Sequence, residues 1–372
     1  MNATGLHGAV GTVKGARAPN LAESPRIFQI FAPIARQGHH CKRATDPHRG
    51  SALQTRSIEM QDKSDITAAD LSGLDWQAWL DRAEKVIGDD DYMQPLGSDH
   101  AALFCERKPV LLVTFENFER VELLSDRAQP FGWTMLDALG WSHLCLLSRG
   151  DTWFRDARVY GYFDRLIDDG FFDAFEQVIF YGAGACGYAA AAFSVAAPGA
   201  RVLMLRPQAT LDPRVAEWDD RYLAMRRTSF TDRYGYAPDM LDAADTAVLL
   251  YDPEIELDAM HSALFNRSNV LRSRTRHLGY NMEEALLQMG ALPRILAQMS
   301  AGKLTRLSLA QLLRKRRDDR AYLFSLLRRL ATEQRDGLTV LFCENVLARK
   351  QGGPRFRNAL NKARERLTKR EA

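Results

Sequence analysis

Val178-Ile-Phe-Tyr-Gly-Ala-Gly-Ala-Cys-Gly-Tyr-Ala-Ala-Ala-Ala192 is the stretch on which the reading of this chain turns. Four apolar, strand-like residues come first, then a turn holding Gly182, Gly184 and Gly187, then a run of alanines. That order predicts a strand, a tight turn and a helix of small side chains. Glycine reaches backbone conformations that other residues resist, and small residues let the helix approach the strand closely.

Working outward, apolar runs of strand length recur at residues 109–115, 143–147, 177–181, 201–205 and 246–251, with a sixth at 268–272. Helix-length connections separate them, and helices are expected over 160–176, 186–196, 255–265 and 282–299. Short, continuously apolar strands joined by helices predict an α/β fold with a mostly parallel sheet, covered by helices on both faces. Before the first of these runs, Leu74, Trp76, Trp79, Leu80, Ala83 and Val86 recur at helical spacing, with Ser72 or Asp75 as the cap. The segment between that helix and residue 109 reads as a polar loop.

Both ends of the chain differ from this centre. Residues 1–59 mix Gly, Pro, His, Arg and Ser without periodicity and read as a disordered basic extension, His39-His40 being at most an adventitious metal binder. Residues 60–302 form the sheet domain. From 303 to 372 the chain is rich in Leu and Arg, with leucines at helical spacing, and reads as a basic helical appendage. Cut at those points, the net charge of +3 resolves into about +5, −14 and +12. The cluster Arg314-Lys-Arg-Arg317 is a solvated helix face on this reading, and no nucleic-acid motif accompanies it.

Five scattered cysteines (Cys41, Cys105, Cys145, Cys186, Cys343) lack CxxC spacing and indicate neither a disulfide framework nor a zinc site. No stretch has the roughly 18 to 20 continuous apolar residues of a membrane span. The expectation is a cytoplasmic protein with no membrane partner, no metal and no cofactor.

The strand, glycine turn and small helix resemble α/β-hydrolase-fold proteins over about residues 108–302. The likeness is greatest to bacterial members whose turn is followed by Gly-Tyr-Ala-Ala and whose next strand leads into Pro-Gln, here Gly187-Tyr-Ala-Ala190 and Arg206-Pro-Gln208. A Rossmann-like doubly wound sheet is the structural rival, because glycine-rich turns also cradle phosphates. In a working hydrolase the turn reads GxSxG, the serine attacks, and the next backbone N–H, here that of Ala185, serves the oxyanion. Gly184 occupies the serine's place, so the resemblance implies a degenerate nucleophile elbow. The family's acid maps to Asp252. Its histidine position falls on Tyr280, with His277 one helical turn earlier.

Further candidates surround this turn. Cys186, at the start of a helix whose dipole would lower a thiol pKa, is either a displaced nucleophile or a small packed residue. Arg149, Asp151, Trp153 and Arg155 follow a strand's carboxyl end and offer an anion- or sugar-binding loop, and Phe115 and Asn117 would line the same crevice. His143 and Cys145 read as core. A phosphosulfate reductase would need a Ser/Gly/Asp-rich nucleotide loop and a reactive C-terminal cysteine; residues 182–187 hold no serine or aspartate, and Leu341-Phe-Cys-Glu-Asn345 lacks the accompanying glycine and histidine. The expected function is therefore a pseudoenzyme binding a small polar or glycan-related ligand, or a protein partner. The alternative is an active hydrolase or transferase using Cys186.

Overall fold

The computed structural model describes residues 66–87, 91–107, 109–349 and 351–371. The expected extension at residues 1–59, with His39, His40 and Cys41, lies outside the described residues.

Helix α1 (Trp76–Val86) opens the fold; the Asp75 carboxylate accepts from the Ala78 N–H at its N-terminus, so Asp75 and not Ser72 is the cap. Strands β1 (Tyr92–Pro95), β2 (His100–Cys105) and β3 (Val110–Asn117) follow, then α2 (Phe118–Leu124), α3 (Phe131–Leu139) and β4 (Ser142–Ser148). Next come α4 (Ala157–Asp168), β5 (Gln177–Ala183), α5 (Ala185–Phe193) and β6 (Arg201–Leu205). A long connection carrying only the short helices α6 (Pro213–Ala216) and α7 (Ala237–Met240) leads to β7 (Thr246–Tyr251), α8 (Glu256–Leu264) and β8 (Val270–Arg274). Helices α9 (Met282–Gln288), α10 (Leu292–Ser300), α11 (Arg306–Leu313), α12 (Arg320–Thr332), α13 (Asp336–Ala348) and α14 (Pro354–Glu371) complete the chain.

The strands form one sheet in the order β1-β2-β4-β3-β5-β6-β7-β8. Strand β2 pairs antiparallel with both β1 and β4, and every other pairing is parallel. This is the α/β-hydrolase arrangement, and a doubly wound Rossmann sheet with its own strand order is set aside. Alternate strand residues feed two cores. Val113, Phe115, Phe180, Val202 and Met204 pack with the alanines of α5 and with Val159 and Phe163 of α4 on one face. Leu112, Ile179, Tyr181, Leu203 and Leu205 pack with α9, α10 and α11 on the other, and α1 and α3 close a third cluster beside β2 and β4.

The segment read as a polar loop contains β1 and β2. All six residues of β2 are buried, but the run is short and starts on His100, so hydropathy alone hides it. The helix expected over 282–299 is two helices, broken at Gly290, whose φ of +57° stops α9. That expected over 160–176 ends at Asp168, before Gly170 at φ +64°. The sixth strand lies two residues later than read, at Val270–Arg274. Beyond residue 303 the leucines divide: Leu309 and Leu313 join the sheet core, while Leu323 and Leu327 pack with Cys343, Val346, Phe356 and Leu360 in a small helical core of their own. Among the described residues, no helix is long and apolar enough to cross a membrane.

Candidate functional site

At the C-terminal edge of the sheet, β5 hands over to α5 through Gly184 alone, at φ +62° and ψ −123°. The Gly184 N–H donates to the Leu205 carbonyl at 2.8 Å, and its own carbonyl accepts from the Tyr188 N–H at 3.0 Å. The flanking glycines explain the small residues. A Cβ on Gly182 would lie 2.1 Å from the Cys186 carbonyl oxygen, and one on Gly187 would lie 3.2 Å from the carbonyl oxygens of both Gly182 and Leu205. Gly184 differs, because a Cβ there would meet nothing within 4 Å. Ala183, Gly184 and Ala185 are half-buried, so the turn is reachable from outside while its foundations are closed.

Cys186 sits one residue inside α5 and is buried. Burial, together with the negative charges of Glu283 and Glu116, pushes its thiol well above the ordinary range. That is opposite to the lowering anticipated from its place at a helix start.

Asp252 directly follows β7 and is buried, with its carboxylate taken up by backbone: Oδ1 accepts from the Glu254 N–H at 3.1 Å and Oδ2 from the Gly279 N–H at 2.9 Å. His277, in the left-handed region at φ +68°, has its Nδ1 3.1 Å from an Arg329 guanidinium nitrogen. Because guanidinium can only donate, Nδ1 accepts, and burial lowers the imidazole pKa. Arg329 in turn ion-pairs with Glu254. Asp252, Glu254, His277 and Tyr280 share a cavity of about 410 Å³ roofed by Ser325 and Arg329 of α12, and Gly184 is not among its lining residues. Tyr280 is 58% exposed, with the Arg206 guanidinium 5.4 Å from its ring centre. The acid and the histidine thus line one cavity, each with partners other than the other.

The predicted ligand loop is mostly structural. Trp153 is buried, donates its indole N–H to Gln208 Oε1 at 3.2 Å and packs edge-on against Tyr222. The Arg155 side chain is buried too: it donates to the Ser229 and Arg233 carbonyls and the Tyr188 hydroxyl, ion-pairs with Asp232, and lies over the rings of Tyr160 and Phe230. Phe115 is inside the aromatic core against Phe154, Phe163 and Phe193, and Asn117 caps α2 by accepting from the Arg120 N–H. Arg149 and Asp151 are exposed.

Two carboxylates that sequence reading passed over face this region. Glu283 Oε1 accepts from the Tyr181 hydroxyl at 2.7 Å, and Oε2 takes two guanidinium bonds from Arg120 at 3.0 and 3.2 Å. Beside Glu284, on an amphipathic helix, it had the signature of a solvated face. Glu116, at the end of β3, accepts from the Thr114 hydroxyl at 2.7 Å and the Phe131 N–H at 2.9 Å, and Thr114 Oγ1 lies 2.8 Å from His143 Nε2. Burial, offset by these bonds and reinforced by Glu283, raises the Glu116 carboxyl to about 7. Burial holds His143 down at about 3. Glu116, His143 and Cys145 offer donor atoms within 4.8 Å of one another. The Thr114 hydroxyl already bridges the acid and the imidazole, and α3 presses on the ring so closely that a Cβ on Gly132 would lie 2.0 Å from Nε2. The arrangement is a packed hydrogen-bond chain, with His143 Nδ1 left without a hydrogen-bond partner among the described residues.

No family model matches the chain, and a search of curated proteins finds no match. Solved structures that it resembles at low identity include esterases and an acyltransferase. An esterase from Pyrobaculum calidifontis is 16% identical with a TM-score of 0.37, over 58% of this chain and 85% of that one. The capsule O-acetyltransferase of Neisseria meningitidis serogroup A is 14% identical with a TM-score of 0.32, over 52% and 91%. A glycosylation-associated protein complex (Gap123) from Streptococcus agalactiae is 17% identical with a TM-score of 0.36, over 52% of this chain and 43% of that one, so the match spans less than half of the streptococcal chain.

Proposed function

We propose that this chain is a catalytically degenerate α/β-hydrolase-like protein whose crevice above the C-terminal strand ends binds a small polar or glycan-related ligand or a protein partner. One observation carries the reading: Gly184 holds a strained strand-to-helix turn at φ +62° with open space where a side chain would stand, and has no atom with which to attack. The surroundings support it. Asp252 accepts one backbone N–H on each oxygen and His277 Nδ1 faces Arg329 and Glu254, so the two are held by other partners and not paired as an acid and base of a triad. Burial and a raised thiol pKa argue against Cys186 as a substitute. What the crevice still offers is recognition chemistry, with exposed Tyr280 stacked by Arg206 and a half-buried turn at residues 183–185. An aromatic face beside a guanidinium suits polar, ring-bearing or carboxylate-bearing ligands.

The test is native mass spectrometry of the protein purified from cell extract, alongside Tyr280→Ala. The wild type is expected to retain a bound molecule or partner that the variant releases, with both melting alike because Tyr280 is exposed. A wild type that retains nothing, or a Tyr280→Ala protein that retains the same species equally well, would refute this use of the crevice.

A further inference from the structure

Among the described residues strand β8 ends the sheet, and no further strand pairs with its outer edge. The Asn269 carbonyl accepts from the Ala247 N–H and the Thr275 N–H donates to the Tyr251 carbonyl, so odd-numbered residues bond inward to β7. Backbone groups alternate sides along a strand, which turns the N–H and C=O of Arg272 and Arg274 outward. A groove of about 670 Å³ runs along this edge, lined by Arg267, Arg272, Arg274 and Arg306 with Ser268 and Ser273.

The charge along it is unbalanced. Arg267 is neutralised by Asp239 and Asp242. Among the described residues, Arg272 donates to the Ser262 and Ala263 carbonyls at the end of α8, and Arg274 to the Tyr251 hydroxyl. Among the described residues no carboxylate pairs with Arg272, Arg274 or Arg306, and all three are exposed. An open strand edge invites a further strand, and three unpaired guanidinium groups decide which strand it accepts.

We infer that the β8 edge is a docking site for an extended acidic peptide segment of a partner protein, which adds a ninth strand beside Val270–Arg274. The main-chain groups of Arg272 and Arg274 supply the ladder, and their side chains, with Arg306 across the groove, meet acidic side chains of the incoming strand. A second copy of this chain does not fit, since pairing β8 with itself would set Arg272 and Arg274 against the same arginines. This site is separate from the crevice and stands whether or not the crevice binds a ligand.

The experiment uses the full chain and a dansylated heptapeptide alternating Glu and Val, with fluorescence anisotropy as the readout. Binding is expected to weaken at least tenfold in Arg272→Glu/Arg274→Glu, and as salt rises from 50 to 300 mM. It is also expected to be lost when alternate peptide nitrogens are methylated, which removes the ladder bonds and keeps the charge. A Lys/Val peptide of the same pattern should not bind. Both arginines are exposed, so an unchanged melting temperature shows that the variant is folded; if it is not, Arg272→Gln alone supplies the comparison. Absence of binding, equal binding by the methylated peptide or the Lys/Val peptide, or a dimer that dissociates on charge reversal would overturn the inference.

Discussion

Glu116→Gln isolates the most strongly perturbed acid next to the candidate site. The carboxyl ordinarily titrates near 4.5 and in the fold near 7, raised mainly by burial. A raised acid binds its proton more tightly folded than unfolded, so its contribution is fully present below pH 4.5 and is lost as pH rises through 7. Each unit corresponds to about 1.4 kcal/mol, and the interval to about 3 kcal/mol. His143 runs the other way, because an imidazole lowered from 6.5 to about 3 loses stability as pH falls below 6.5. Between pH 4.5 and 6.5 the two slopes cancel in the wild type. Glutamine mimics the protonated acid: its oxygen accepts from the Phe131 N–H, its NH₂ donates to Thr114 Oγ1, and the threonine proton turns to His143 Nε2. Urea unfolding from pH 4.5 to 8 should show the variant gaining on the wild type by about 3 kcal/mol across the range, and losing stability more steeply than the wild type as pH falls below 6.5. A stability difference that stays constant with pH would refute the assignment of a buried, raised Glu116.

Three further outcomes follow from the packing. Gly182→Ala should cost about 3 kcal/mol or more, because its methyl collides with the Cys186 carbonyl, whereas Gly184→Ser should cost only about 1 to 2 kcal/mol of backbone strain; thermal unfolding that ranks them equally contradicts the turn geometry. Arg155→Ala should lower stability by about 3 kcal/mol by stripping the Ser229 and Arg233 carbonyls and the Tyr188 hydroxyl of their donor, and a melting temperature within a degree of wild type would make the residue free for ligands after all. Ending the chain at Gly302 should remove about 4 kcal/mol of burial at Leu309 and Leu313, so an equally stable truncated protein would show that α11 is dispensable to the sheet core.

The parts of the fold that were legible in sequence are those where one residue type answers one physical demand. Strand β5, the Gly184 turn and α5 were readable because an apolar run, three glycines and an alanine run each serve a distinct role. Strands β6 and β7 were bounded correctly because they are continuous apolar runs in a covered sheet. Strand β2 was not, since its burial comes from packing against α1 and α3, which no local pattern reports. At the site, Asp252 and His277 line one cavity, but their engagement by Gly279 and Arg329 depends on a loop and on α12, the arginine lying 52 residues from the histidine, and neither is visible in a local pattern. Trp153 and Arg155 looked like binding residues because an exposed loop and a packed one have the same composition. Glu116 and Glu283 were missed for the converse reason, as carboxylates that sequence places on surfaces and tertiary packing half-buries.

Ester hydrolysis measures the central claim most directly. Wild-type protein incubated with p-nitrophenyl acetate should release p-nitrophenol no faster than buffer, because glycine at position 184 supplies no oxygen and the Cys186 thiol is buried and protonated. Gly184→Ser should recover little, since Asp252 and His277 are held by other partners. Robust hydrolysis by the wild type, abolished by Cys186→Ala or His277→Ala, would contradict the degenerate reading and make this protein an enzyme.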